Sequence, residues 1–569
     1  MSWRLKRKLQ TLLAQEEGTV RKDWGGRVPV ALVYPNTYAV GMSNLGFQTI
    51  YAHLNRLPHA VCERFFLPDP EDLEELVRTG TPPLSLESQR PLTDFPLIGF
   101  SVTYEGDYIH VLRLLGLAGI PLRAAERRGG DPLVLMGGVC AFSNPEPLAP
   151  FVDAIAVGEG EELVGELVEA WREAGPDRDR VLDRFLQIPG LYVPARYTVS
   201  YHPDGTVAAV LPRPGAPAPV VKRRLRDVNR FETVSVIRTP LAEYGHMALV
   251  EVGKGCGRGC RFCLEGQVYR PVRHRAPATL AATIQHLAAD PGHRRLGLVG
   301  ACVSDYPWIS QLLDTVAARG LELSISSLRA DSLTPELVAA LARGGHRTLT
   351  VAPEAGTERL RRAIRKAITD AQLYEACDLV RRFGIPNLKC YFMIGLPTET
   401  WDDVEAIPDL ARRLLEHLRV ADPAGRPFGR LTLSISSFVP KPWTPFQWAP
   451  FEPPELLQRK LDTIKHALRR FPNVRVLHEN PREAYLQALL ARGDRRVGDF
   501  LELAARSGGD WRRALREWSG DPGFYTLRER GADELFPWDH LDVGVKKAAL
   551  WREWERARTE VGAGTGVTP

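Results

Sequence analysis

The sequence predicts an α/β protein of two successive parallel-sheet units. The first is an N-terminal doubly wound domain and the second a partial (β/α)6 barrel of the TIM type; a mainly helical C-terminal region follows. Three observations predict this. Short apolar runs alternate with amphipathic helical stretches, as expected of parallel strands covered on both faces. The alternation comes in two series, separated by the polar and proline-rich passage "LPRPGAPAPVVKRRLRD". In the second series every distinctive motif falls at the C-terminal end of a strand, where such barrels place their chemistry.

In chain order, residues 1–27 open with "MSWRLKRKLQTLLAQEEG", a basic helical extension without the apolar run of a signal peptide. Residues 28–200 repeat strand, polar loop and helix. The repeats are "VPVALVYPNTYAVGMSNLGFQTIYAHL", "PLIGFSVTYEGDYIHVLRLLGLAGI", "PLVLMGGVCAF" and "DAIAVGEGEELVGELVEAW". Residues 201–245 read as a connector, with a hairpin expected from "YVPARYTVSYHPDGTVAAVL". The barrel spans 246–450, with strands "ALVEVG", "RLGLVGA", "LELSISSLR", "TLTVAPEAG", "LKCYFMIGLP" and "LTLSISSFVP". Residues 451–558 read as helical, rich in Arg and Trp, and 559–569 as a disordered tail.

The bulk numbers are those of an ordinary globular chain. There are 569 residues, which favours about three or four domains. Apolar residues make up 44% and charged residues 25%. A formal net charge of +5, from 74 basic and 69 acidic residues, is too mild to imply nucleic acid by itself. No run of about 20 apolar residues is present, so no membrane span is expected. Eight cysteines in so long a chain do not suggest a disulfide framework, and a reducing cytoplasm fits better.

Three of those cysteines cluster. "GKGCGRGCRFCLEG" sets Cys256, Cys260 and Cys263 at C-x3-C-x2-C directly after the strand "ALVEVG". A structural zinc site would be closed by a fourth Cys or His at short spacing. None follows, since His274 lies eleven residues beyond Cys263 in a basic run. A cubic iron–sulfur cluster takes four thiolates, so three leave one iron open to a small molecule. The glycines at 253, 255, 257 and 259 let the loop wrap tightly.

This stretch resembles the signature of the radical S-adenosylmethionine superfamily, C-x3-C-x-aromatic-C, with Phe262 in the aromatic position. The resemblance implies a [4Fe–4S] cluster whose open iron binds S-adenosylmethionine, reductive cleavage to a 5′-deoxyadenosyl radical, and a reductant such as flavodoxin or ferredoxin. It also implies supporting residues on later strand ends. Gly300 in "GLVGACVSDYP" matches the glycine of a Gly-Gly-Glu type turn, and the Glu is missing. In "SSLRAD", Ser327 is a candidate for a ribose hydroxyl and Arg329 for a two-pronged carboxylate clamp. Glu354 in "APEAG" is a ribose or amino-group candidate; alternatively Arg329 and Glu354 form a structural ion pair with each other. Gly395 and Pro397 in "IGLPTET" are expected to shape the adenine pocket, and "VPKPWTPFQW" reads as a lid.

The first domain resembles the cobalamin-binding domain that precedes the barrel in some of these enzymes. "GFSVT" places Ser101 and Thr103 where hydroxyls meet the cofactor tail. "LMGG" supplies the glycine pair Gly137 and Gly138, and "DAIAVGEGEE" resembles the closing strand and turn. The lower-ligand motif D-x-H-x-x-G is replaced by "NTYAVG", with Asn36, Tyr38 and Gly41 in register. Tyr38, with an ordinary pKa of about 10, is a poor cobalt ligand at neutral pH. His110 lies too far along and reads as structural. The arrangement resembles, over nearly the full chain, an uncharacterised bacterial radical S-adenosylmethionine family. The likeness includes "RGDRR" and "PWDHLDVGVKK", whose Asp494 and His540 read equally as site or structural residues.

Two enzymatic readings follow. One is cobalamin-dependent methyl transfer to an unactivated carbon. The other is cobalamin-independent modification of tRNA, rRNA or a ribosomal protein, for which the basic runs "KRRLRD", "RPVRHR" and "RRAIRK" speak. A methylthiotransferase proper fits less well, because the first domain has only Cys62 and Cys140 where those enzymes hold a second cluster on three cysteines. A non-catalytic metal-binding protein is the third class, disfavoured by the barrel motifs.

Overall fold

The four apolar runs of the first series form one sheet with two strands the sequence did not announce, Ala60–Phe66 and Leu191–Tyr192, six strands in all. The computed structural model describes residues 2–290, 292–326, 328–420 and 427–562. The strands are β1 (Val28–Tyr34), β2 (Ala60–Phe66), β3 (Leu97–Ser101), β4 (Leu133–Gly137), β5 (Ala154–Ala156) and β6 (Leu191–Tyr192). They lie in the order β2-β1-β3-β4-β5-β6, parallel except for β6, which is antiparallel to β5.

Side chains alternate across a strand, so each run serves two layers. Val30, Leu32, Leu97 and Leu135 pack with helices α2 (Leu45–Arg56), α4 (Gly160–Ala174) and α5 (Arg178–Phe185). Ala31, Val33, Ile98, Phe100, Val134 and Met136 pack on the other face with α3 (Tyr108–Leu117). The C-terminal helix α6 (Val497–Arg506) lies against α3, and Arg123 pairs with Asp499 and Glu502 at 2.7 Å. The domain is doubly wound, as expected, with a C-terminal layer completing its second face. The N-terminal helix α1 (Trp3–Ala14) is present too, tied to the domain by Lys8 on Asp69 and Asp72. The expected hairpin forms between Tyr197–Tyr201 and Val207–Pro212.

The second series forms seven parallel strands, one more than expected: β7 (Ala248–Glu251), β8 (Arg295–Val299), β9 (Glu322–Ile325), β10 (Thr348–Glu354), β11 (Asn387–Ile394), β12 (Arg430–Ser437) and β13 (Val474–His478). β7-β8-β9 and β10-β11-β12-β13 are joined by a bridge between Leu328 and Val351. β13 corrects the reading of 451–558 as helical. Its residues "VRVLH" are half-buried or exposed, so no apolar run marked it. The other strands show why the barrel is not a filled core. In β11, Leu388, Cys390, Phe392 and Ile394 are buried, while Lys389, Tyr391 and Met393 between them are half-buried. In β12, Thr432, Ser434 and Ser436 alternate likewise with buried Leu and Ile. The lumen is therefore polar and open.

The helix α7 (Lys547–Gly562) runs past residue 559, where the tail was expected to begin; residues 563–569 lie outside the described ones. Its Glu553 and Glu560, two turns apart, both pair with Arg261 of the cysteine loop, at 3.2 and 2.7 Å. No helix among the described residues is long and apolar enough to cross a membrane.

The segment "GEGEE", which runs from the loop after β5 into the first turn of α4, joins the two units. Glu159 takes a two-pronged contact from Arg273 at 2.6 and 2.8 Å and accepts the Leu225 amide at 2.9 Å. Glu161 pairs with Lys254 at 2.9 Å, and Glu162 with Arg223 and Arg230 at 3.1 Å. Glu159 and Arg273 are nearly inaccessible, with side chains 3% and 9% exposed. Removing one partner of such a pair strands a buried charge, which typically costs about 3–5 kcal/mol. Glu159→Ala should therefore lower the denaturation midpoint by that equivalent, and Glu159→Gln by less. A shift below about 1 kcal/mol for the alanine variant, the size of an exposed pair, would mean the contact does not hold the two units.

Candidate functional site

The cysteine loop is shaped by its glycines and its return strand. Gly253–Lys254 pairs antiparallel with Arg273–His274. Gly255, at φ +84°, passes so near the Tyr269 carbonyl that a Cβ would sit 2.4 Å from its oxygen. A side chain at 255 is thus excluded twice, by conformation and by space. Cys260 is buried, and Cys256 and Cys263 are half-buried. Donors surround the sulfurs. The Arg258 amide lies 3.4 Å from Cys256 Sγ and the Gly266 amide 3.5 Å from Cys263 Sγ; Arg329 Nη1 is 3.9 Å from Cys260 Sγ. Burial pushes the Cys263 thiol up to about 12. Burial also raises that of Cys260, against the pull of Lys366 and Arg329. Among the described residues no three His, Cys, Asp or Glu side chains converge as they would on a single metal ion. A multi-iron cluster does not need that, since its thiolates sit on different irons. The loop fits such a cluster: three thiols, amide donors to two of the sulfurs, and a guanidinium beside the third.

The barrel's strand ends gather charge around this loop. Arg329 grips Asp331 with two hydrogen bonds of 2.8 and 2.9 Å. Arg258 grips Asp305 at 2.6 Å through two nitrogens and reaches Asp331 at 3.3 Å. Burial opposes ionisation of Asp305, but the Arg258 fork outweighs it and holds its carboxyl below the usual range. Glu354 ends β10 after a bulge, at φ +71°, an uncommon conformation for a side-chain-bearing residue. Its carboxylate pairs with Lys366, whose ammonium stands 6.0 Å from the Phe262 ring centre. Arg329 and Glu354 thus have separate partners and do not pair with each other. Gly300 directly follows β8, beside Val252 and Val303. Gly395, at φ +77°, donates its amide to Glu399 at 2.9 Å, and Pro397 lies half-buried on the same turn. Burial, partly offset by Lys460, pushes the Glu399 carboxyl up to about 7. Ser327 lies outside the described residues.

A cavity of about 680 Å³ connects this region with the first domain. One end is lined by Gly253, Lys254, Gly255, Glu265 and Gly300. From there it passes Ser101, Thr103, Gly137 and Gly138 and enters a slot between the sheet and helices α2 and α4. Val30, Leu32, Leu97, Gly99, Leu135 and Gly137, alternate residues of β1, β3 and β4, form one wall. The slot stays open because two of them lack side chains. A Cβ on Gly137 would meet nothing within 4 Å, and one on Gly99 only the Ala31 carbonyl at 3.9 Å. Gly138 is fixed for another reason: at φ +94° its Cβ would strike the Val102 carbonyl at 2.4 Å. The Thr103 hydroxyl is hydrogen-bonded to that of Tyr34 at 2.9 Å.

Tyr38 is not brought to this cavity, which corrects its placing among the ligand-facing residues. Its ring packs edge-on against Phe66 and its hydroxyl donates to Glu16 at 2.7 Å. Glu16 also receives Arg64, so Tyr38 belongs to a buried charged network under the N-terminal segment. His110 is structural, with Nδ1 3.0 Å from the Pro35 carbonyl. So is Asp494, which pairs with Arg496 at 2.6 Å and accepts from Tyr525. His540 is buried 3.8 Å from Glu146, with Nδ1 3.0 Å from the Pro537 carbonyl. The sequence reading missed Lys366, Arg258, Asp305 and Asp331. The first stood within "RRAIRK", read as a basic run, and the two aspartates follow strand ends at 299 and 325.

A family model described as radical SAM proteins, N-terminal, matches residues 46–194, and one described as the radical SAM superfamily matches 250–411. An uncharacterized protein of Methanocaldococcus jannaschii is 28% identical over 475 residues, covering 84% of this chain and 91% of its own. An uncharacterized methyltransferase of Pyrococcus horikoshii is 24% identical over 302 residues, 51% of this chain and 60% of its own. Among solved structures, the radical S-adenosylmethionine methyltransferase TsrM of Kitasatospora setae, determined with cobalamin and a [4Fe–4S] cluster, shares the fold. Its TM-score is 0.53 at 16% identity, over 86% of this chain and 100% of that one. The two family models fall on the two parallel-sheet units and together span more than half of the sequence, so the chain is an enzyme of the radical SAM superfamily.

Proposed function

We propose that the enzyme holds a [4Fe–4S] cluster on Cys256, Cys260 and Cys263, binds S-adenosylmethionine at the barrel strand ends, and carries cobalamin in the slot of the first domain for methyl transfer to an unactivated carbon. The observation that carries this is the single cavity running from the slot to the cysteine loop. When bound, the cluster would supply the electron that cleaves the sulfonium bond, and cobalamin a methyl carrier. The chain's own residues do the rest. Amides and the Arg329 guanidinium offset the negative charge of cluster sulfurs. Arg329 Nη1, not used by Asp331, is a donor for a carboxylate, and Glu354 an acceptor for an amine. Gly99 and Gly137 leave room for a flat group against the sheet. Similarity to a cobalamin-containing methyltransferase structure and to an uncharacterized methyltransferase supports the reading. Eight free thiols fit a reducing cytoplasm.

Anaerobic reconstitution should give about four irons per chain. Alanine at Cys256, Cys260 or Cys263 should abolish the cluster absorbance, and alanine at Cys302, Cys377 or Cys390 should not. If Cys302 proves essential for iron retention, the open-iron reading fails.

Arg329→Ala should raise the dissociation constant of S-adenosylmethionine about tenfold or more, the worth of one charge-assisted contact, with iron content unchanged. Unaltered affinity would place the pocket elsewhere.

For cobalamin, refolding with excess hydroxocobalamin should leave the cofactor bound with a base-off spectrum, since none of the described residues lining the cavity is a histidine. Gly137→Leu places its side chain in open space, so the apo protein should melt as the wild type does while cofactor retention falls about tenfold or more. Retention by neither protein would shift the function to cobalamin-independent modification of RNA or a ribosomal protein.

A further inference from the structure

We propose that a basic groove on the outer side of the cysteine loop is the docking site for an acidic one-electron donor protein. This rests on the cluster reading above and adds to it the partner and the side from which the electron enters. The groove has a volume of about 920 Å³. Its walls come from the connector, from Arg270–Val272 just before the return strand of the cysteine loop, and from the C-terminal segment, where Leu541–Asp542 pairs in parallel with Val220–Val221. Lys222, Arg223, Arg224, Arg226, Arg230 and Arg270 line it.

Some of these charges have structural work already. Arg223 and Arg230 pair with Glu162, and the Lys222 ammonium donates to the Val268 carbonyl. Arg224, Arg226 and Arg270 are exposed, and none of them has a carboxylate partner among the described residues. Asp542, the remaining acid in the groove, caps the Gly544 amide at 2.8 Å. Arg270 donates its Nε to the Gly266 carbonyl at 2.7 Å, so the groove presents an excess of guanidinium groups that no carboxylate among the described residues neutralises.

Its position chooses between an electron donor and a nucleic-acid substrate. The groove touches the loop at Cys256 and Gly257, whereas the cavity shared with the first domain touches it on either side, at Gly253, Lys254 and Gly255 and at Leu264 and Glu265. The two openings thus meet adjacent stretches of the same loop. None of the strand-end residues Gly300, Arg329, Glu354 and Gly395 lines the groove. A substrate must bring its reacting atom to those strand ends, but a donor needs only to approach the cluster's edge. In the transfer one electron leaves the reduced flavin or iron–sulfur centre of the donor and reduces the enzyme's oxidised cluster. No covalent bond forms or breaks at the interface. A cleft of one sign of charge raises the encounter rate with an opposite surface by about 10- to 1,000-fold, and salt removes the gain.

The test uses the reconstituted holoenzyme and its Arg224→Glu/Arg226→Glu variant, with reduced flavodoxin and reduced ferredoxin as probes. Stopped-flow bleaching of the cluster absorbance and the dissociation constant of oxidised donor are read at low and high salt. The variant should be reduced about tenfold or more slowly and bind donor correspondingly more weakly, with the difference fading at high salt. Bleaching by dithionite should be the same in both proteins. Equal rates with both donor proteins would overturn the proposal, as would an equal loss with dithionite. Loss of binding to a transcribed tRNA with donor reduction unchanged would reassign the groove to RNA and overturn it too. Absence of any bleachable cluster in the wild type would instead sink the cluster reading.

Discussion

Three glutamates in five residues hold this enzyme's two halves in register. Glu159, Glu161 and Glu162 of one turn each meet a cation from beyond the first domain: Arg273 and Lys254 in the barrel, Arg223 and Arg230 in the connector. Burial would strip the Lys254 charge, but Glu251 and Glu161 outweigh it and raise its pKa. Buried pairs of this kind add little to stability against an apolar alternative, and they are severe about geometry. The turn can sit against the barrel in very few ways that leave no charge unpaired. Glycines tighten the fit, since a Cβ on Gly158 would lie 2.1 Å from the Arg223 carbonyl oxygen.

The rest of the site follows from that register. Apart from β6, both sheets are parallel and both expose loops at the C-terminal ends of their strands, where α/β folds bind ligands. With the turn fixed, the ends of β3 and β4 and the cysteine loop border one cavity instead of two clefts. The barrel contributes a polar lumen because β11 and β12 bury only their outward residues. The C-terminal segments are not a separate appendage. α6 covers the doubly wound sheet through α3, and α7 locks Arg261.

How much of this the sequence disclosed depends on whether the signal was local. Strands such as "ALVEVG" and "PLVLMGG" are apolar, period-bound and next to glycine, and they were legible. β13 was not, because half of "VRVLH" faces solvent and only pairing with β12 makes it a strand. The cysteine spacing is local and was read directly. Tyr38 stood in register with a ligand motif, yet the chain turns its hydroxyl toward Glu16, 22 positions earlier, a partner no local pattern announces. Asp305 and Asp331 looked like loop residues because their partner Arg258 is 47 and 73 positions away. "GEGEE" was noticed for its likeness to a closing turn, but its task of joining two units needed the positions of Lys254 and Arg273, which sequence distance hides.

The clasp between Arg261 and α7 also has a place in time. The Arg261 side chain is only 3% exposed, and the carboxylates that neutralise it lie 292 and 299 residues further along the chain. At ribosomal speeds of about 5–20 residues per second, that interval is on the order of 15–60 s. During it the other six strands of the barrel, through His478, are made, and the helix that neutralises Arg261 emerges last. The three thiols are thus made well before their neighbour Arg261 can be neutralised, and from the completed barrel to that pairing the delay is only about 4–16 s.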